Sequence, residues 1–166
     1  MSVALASSVF AGAPSYSGKG GKIVQPPAPG CDWFAPGLKL GGFMGGFLQS
    51  GGDDNSLGGG VLAEYFFCEN FGLEGSYGAY ATDQTHHQFD LNFIARYPMK
   101  NHCWAPYILA GGGYHVNSDN GWNWQVGAGL EAHITGKIGA FADGAWHFGD
   151  GDGDFTLVRL GLKFRL

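Results

Sequence analysis

Asp150-Gly-Asp-Gly-Asp154 sets three carboxylates at alternate positions in a turn-forming run. Alternating Asp oxygens on a glycine-bent loop are the donors a Ca²⁺ ion takes. The run lacks the bidentate Glu that closes an EF-hand. An acidic hairpin loop is the preferred reading, and a weak Ca²⁺ site at Asp150, Asp152 and Asp154 is the alternative. The chain has six histidines. His86 and His87 fall in a loop and His102 in a turn. His133 and His147 share a face but lie at opposite ends of it. No three or four ligands converge, so no metal centre and no cofactor is expected. Acyl-transfer chemistry would need a Ser hydroxyl beside a His. His147 has no Ser near it in sequence, and Ser76 lies on an inward face, so no catalytic residue is assigned.

The elements that carry these residues are strands. The final run, Phe155-Thr-Leu-Val-Arg-Leu-Gly-Leu-Lys-Phe-Arg-Leu166, alternates strictly. Val158, Leu160, Leu162, Phe164 and Leu166 occupy one face, and Arg159, Gly161, Lys163 and Arg165 the other. Seven similar segments precede it, at Leu38–Leu48, Gly60–Phe67, Phe71–Ala81, His87–Tyr97, Pro106–Val116, Trp122–Ile134 and Ile138–Phe148. Turn chemistry separates them. The facing of the first is ambiguous, because Leu38, Leu40 and Met44 oppose Phe43 and Phe47. Glycine is abundant at 31 of 166 residues, aromatics make up 15% and charged residues only 14%. A soluble domain carries about 25% charge. The non-apolar face is thus glycine-rich and charge-poor, unsuited to face water. A closed barrel inverts the usual order: apolar side chains face lipid while polar and small ones fill the lumen. Closure also leaves no unpaired sheet edge in hydrocarbon. The expected fold is all-β, an eight-stranded antiparallel up-and-down transmembrane β-barrel over 38–166 with a filled polar lumen. A soluble lipocalin-like barrel would need a dry apolar interior. No apolar run approaches the roughly 20 residues of a membrane helix.

Val3 to Phe10 is a short apolar stretch ending in the cleavage pattern Val9-Phe10-Ala11, so residues 1–11 read as part of an export signal cut after Ala11. An unprocessed, disordered N-terminus is the alternative. Residues 12–37 hold Pro14, Pro26, Pro27, Pro29 and Pro36 and read as an exposed linker.

The segments Tyr65-Phe-Phe-Cys-Glu-Asn-Phe-Gly-Leu-Glu74, Pro106-Tyr-Ile-Leu-Ala-Gly-Gly-Gly-Tyr114 and Val126-Gly-Ala-Gly-Leu-Glu131, with the terminal strand, occur in order and at this spacing. Together they resemble the small outer-membrane barrels of the OmpA/opacity type, over Leu38 to Leu166 and without their peptidoglycan-binding domain. The resemblance implies an outer-membrane location and a terminal strand read by the barrel-assembly machinery. Such strands usually end on an aromatic. Here Leu166 stands at that position, and Phe164 lies two residues earlier on the same face.

With the N-terminus in the periplasm, the outer loops are Gln49–Gly59, Thr82–His86, Asn117–Gly121 and Gly149–Asp154. They carry Asp53, Asp54, Asp83, Asp119, Asp150, Asp152 and Asp154 and no Lys or Arg. The inner turns, Cys68–Asn70, Pro98–Trp104 and Thr135–Lys137, include Lys100 and Lys137. Acidic outer loops could meet lipopolysaccharide through divalent cations, although Asp and Gly also simply make good loops. A charge in a narrow lumen must be paired. Hairpin geometry puts Glu74 beside Arg96 and Asp143 near Arg159, with Glu64 close enough to Glu74 for Arg96 to serve both. The three cysteines fall on the periplasmic side, where a disulfide persists. Cys31–Cys68 is the preferred pair, because their strands are neighbours; three unpaired thiols are the alternative. The net charge of −5 and the lack of basic runs argue against nucleic acid. The leading reading is a monomeric structural or surface barrel with no open pore. An adhesin using Trp122, Trp124 and His115 is the alternative, and a lipid A-modifying enzyme comes third.

Overall fold

The computed structural model describes residues 31–49, 56–81, 85–99, 101–116, 120–149 and 154–166. The export segment, most of the linker, and Asp53, Asp54, Asp83, Lys100, Asp119, Asp150 and Asp152 lie outside the described residues. Among the described residues, Asp154 sits half-buried just before the last strand.

Eight strands follow a short 3-10 turn at Asp32–Phe34. They are β1 (Gly37–Gln49), β2 (Ser56–Phe66), β3 (Phe71–Tyr80), β4 (His86–Arg96), β5 (Trp104–Val116), β6 (Gly121–Thr135), β7 (Ile138–Gly149) and β8 (Phe155–Arg165). Each pairs antiparallel with the next, and β1 pairs with β8, so the sheet closes into a barrel. Every strand reaches the 9–11 residues that a tilted membrane strand needs. Several begin earlier than their sequence pattern indicates. β2 starts at Ser56, because Gly58 to Gly60 ladder against β1 and β3 despite lacking side chains. The connections at the two ends therefore differ little in length. We call the end with residues 67–70, 97–103 and 136–137 the turn end, and the opposite one the loop end.

Burial follows the inverted order. Leu38, Leu40, Met44 and Leu48 point out from β1 while Lys39, Phe43 and Phe47 point in, which settles its facing. On β8, Val158, Leu160, Leu162 and Phe164 are exposed, as is Leu166 just past it, and Arg159 and Lys163 are buried. Outward-facing rings form two belts. Phe67, Phe71, Phe93 and Tyr97 encircle part of the turn end, with Phe71 and Phe93 centroids 5.8 Å apart. Tyr77, Phe89, Tyr114 and Trp122 do the same toward the loop end, with Tyr77–Phe89 at 4.8 Å and Tyr114–Trp122 at 5.0 Å. Girdles of aromatic rings at two levels are the mark of lipid–water interfaces.

The lumen is less polar than its alternation implied. Phe43, Phe47, Leu62, Tyr80, Phe141, Phe155 and Leu157 form one buried apolar cluster along its wall. Space for these rings comes from inward glycines. A Cβ on Gly161 would meet the Phe141 ring at 2.6 Å and the Phe43 Cβ at 2.8 Å, so side chains from neighbouring strands lie directly on the backbone there.

Candidate functional site

The lumen is where the chain concentrates its buried charge, in two layers. In the middle layer, Asp143 and Arg159 lie directly opposite each other in the β7–β8 register. Arg159 donates from Nε to Asp143 Oδ1 and from Nη2 to Asp143 Oδ2, both at 2.8 Å. The same Nη2 reaches Glu74 Oε1 at 3.0 Å, and Nη1 donates to Ser76 Oγ at 3.3 Å. The planar guanidinium thus bridges three strands, as its fork of donors allows. Tyr107 closes the layer by donating to Asp143 Oδ2 at 2.7 Å. Beside it, Lys163 Nζ bonds Glu64 Oε1 at 2.5 Å and lies 4.3 Å from the Phe141 ring centroid. Ring faces in contact with Arg159 and Lys163 supply part of the solvation these cations lose on burial.

The second layer fills the turn end. Lys39 Nζ donates to Glu131 Oε1 at 2.5 Å, and Arg96 Nη1 to Glu131 Oε2 at 3.2 Å. Above them sits the 3-10 turn. Trp33 and Phe34 are each 1% exposed. Trp33 Nε1 donates to Glu131 Oε1 at 2.7 Å, and its ring lies 4.1 Å from Lys39 Nζ and stacks on His133 at 5.8 Å. Arg96 Nη2 donates to the Phe34 carbonyl at 2.9 Å, and Arg165 donates to the Asp32 carbonyl. Gly139 makes the seat: a Cβ there would lie 2.4 Å from Trp33 Cζ2. Cys31 is bonded to Cys103 in the β4–β5 turn, with Cα atoms 5.4 Å apart.

Three sequence expectations need correction. Arg96 pairs with Glu131 rather than Glu74. The β3–β4 register puts Glu74 opposite Asn92, four residues from Arg96 along the strand. At about 3.3 Å per residue that separation exceeds a side chain's reach. The Cys31–Cys68 bridge is replaced by Cys31–Cys103, and Cys68 is a free thiol. Neighbouring strands are a poor guide here, because burying Trp33 and Phe34 draws the segment across the mouth, from β1 to the facing β4–β5 turn. For the same reason the linker ends early: Cys31–Phe34 belongs to the barrel interior. Alkylation of the unreduced protein is accordingly expected to label Cys68 alone, and recovering a Cys31–Cys68 peptide would refute the connectivity.

The loop end gathers histidines that sequence placed separately. Asn123 Nδ2 lies 3.3 Å from His115 Nδ1, and Asn123 Oδ1 lies 3.3 Å from His147 Nδ1. His86 stacks on His115 at 5.5 Å, and His147 on Phe155 at 4.5 Å. Among the described residues no group of three His, Cys, Asp or Glu side chains is arranged to hold a metal ion.

The N-terminal β-barrel domain of Pseudomonas aeruginosa OprF is 23% identical and superposes with a TM-score of 0.61, over 80% of this chain and 98% of that one. Neisserial surface protein A is 11% identical with a TM-score of 0.64, over 78% and 96%. Ail, the attachment invasion locus protein of Yersinia pestis, is 17% identical with a TM-score of 0.57, also over 78% and 96%. At these identities the likeness is one of fold. A comparison with curated proteins finds no match. The model of the outer membrane protein beta-barrel domain matches residues 2–165, nearly the whole chain. A closed eight-stranded wall, an apolar exterior with two aromatic belts and this match lead to one conclusion: the chain belongs to the outer membrane protein beta-barrel domain family and resides in the outer membrane.

Proposed function

We propose that this protein is a structural and surface barrel of the outer membrane, closed to solutes and without enzymatic activity. The observation that carries the proposal is the bridge of Arg159 to Asp143, Glu74 and Ser76 across the lumen. An eight-stranded barrel is just wide enough for side chains to fill it. A guanidinium held by three strands, with Lys163–Glu64 and the Trp33 seat beside it, fills the lumen with paired side chains, which supports the closed reading. Ser76 supports the non-enzymatic reading: its hydroxyl accepts from Arg159 at 3.3 Å and lies 3.4 Å from Asp90 Oδ2, so it is tied into the charge network of the lumen.

The turn end faces the periplasm in this proposal, as the lysines in its connections and the acids in the opposite ones suggest. The acidic loops would meet lipopolysaccharide through divalent cations, and β8 would be the strand the assembly machinery reads. The barrel acts as a monomer and binds no nucleic acid. Planar-bilayer recording of the purified oxidised monomer is expected to give no large conductance steps. Reproducible steps of porin size would overturn the closed-barrel proposal.

A further inference from the structure

Residues 31–36 are not part of the wall. β1 begins its ladder at Gly37, which pairs with Phe66, so the sheet closes without the segment before it. The chain enters β1 through a glycine. Gly37 has φ +140°, a backbone conformation that side-chain-bearing residues rarely adopt, and nothing lies within 4 Å of where its Cβ would be. The other end of the segment is fixed by Cys31–Cys103. Cys103 itself has φ 56°, the one non-glycine residue with positive φ among the described residues. Between hinge and anchor, Trp33 and Phe34 fill a vestibule lined by Lys39, Phe66, Arg96, Glu131, His133 and Gly139.

We propose that Cys31–Phe34 is a hinged plug latched by a disulfide: opening Cys31–Cys103 lets it swing about Gly37 out of the turn-end vestibule while the barrel wall stays closed. Burying two rings favours the docked state. Ordering residues 31–36 opposes it by a comparable amount. The disulfide tips this balance by restricting the undocked chain. The co-reactant is a dithiol. In two successive exchanges it transfers two electrons and two protons, leaving Cys31 and Cys103 as thiols and itself as a disulfide. The Arg159 and Lys163 layer lies deeper and does not move, so release uncovers a charged vestibule rather than a pore. The proposal does not depend on the surface role above.

The test is hydrogen–deuterium exchange of the full chain folded in detergent micelles, in a Cys68→Ser background so that no third thiol can reshuffle the bridge. Phe34 N–H bonds to the Cys31 carbonyl and Ala35 N–H to the Asp32 carbonyl, so both report docking. Treating folded protein with dithiothreitol is expected to speed their exchange roughly 30-fold or more, the scale of one disulfide. Amides of β5 and β8 and the difference in gel mobility between unheated and boiled samples should not change. Cys31→Ser should reproduce the fast exchange without reductant; should that variant not fold, reduction of pre-folded protein still decides. Unchanged exchange at Phe34 and Ala35 after complete reduction would overturn the latch. Loss of the mobility difference on reduction would overturn it too, by showing that the disulfide holds the wall.

Discussion

Replacing Arg159 with Leu is expected to lower the unfolding free energy of the barrel by about 3–5 kcal/mol, the cost of leaving buried partners of an ion pair uncompensated. Asp143 would lose both bonds to its opposite strand neighbour and keep only Tyr107, and Glu74 would keep only the donor from Asn92. Arg159→Lys should recover only part of the loss, since an ammonium cannot serve both Asp143 oxygens and Glu74 in the guanidinium's planar geometry. Adding Asp143→Asn and Glu74→Gln to Arg159→Leu removes the stranded charges and should restore most of the stability. Urea titration in phospholipid vesicles, followed by tryptophan fluorescence, measures each step. An Arg159→Leu midpoint equal to wild type would mean that the network contributes nothing to stability.

A charge on the opposite face of the same strand should do damage that depends on depth. Leu160 sits midway along β8 and is 57% exposed, facing outward. Leu160→Arg is expected to destabilise the barrel by about 2–4 kcal/mol, as for cations at the bilayer midplane, and Leu166→Arg at the strand's end by about 0–1 kcal/mol. The same titration in vesicles provides the comparison. In detergent micelles, which deform around a charge, the gap between the two variants should shrink. Equal effects at both positions would mean that β8 does not cross the bilayer as described.

The wall was legible because strict alternation encodes facing, and each hairpin fixes its own register. Asp143 and Arg159 were brought together that way, across a single hairpin. Contacts across the lumen were not legible. Lys163–Glu64 and Lys39–Glu131 join residues nearly a hundred positions apart, and their meeting depends on barrel closure and stagger, which no local pattern contains. Lys39 was hidden further by a strand whose glycines blur the alternation. Trp33 and Phe34 were missed because two apolar residues have no period, and they stand among prolines and glycines that read as linker. Their one signal was position: a bulky aromatic pair beside a cysteine is out of place in a solvated tether.

Trp33 also offers a clock for assembly. Its ring touches Lys39 on β1 and Gly139 on β7, strands that become near neighbours only when β8 is zipped between them. Of all the strand pairings, β1 with β8 joins the most distant parts of the chain, and such long-range pairings are the slow ones. The pocket for the indole therefore does not exist in any open sheet. In a time-resolved refolding experiment, burial of Trp33 should lag behind the entry of the outward-facing Trp122, Trp124 and Trp146 into lipid and mark the moment at which the cylinder seals.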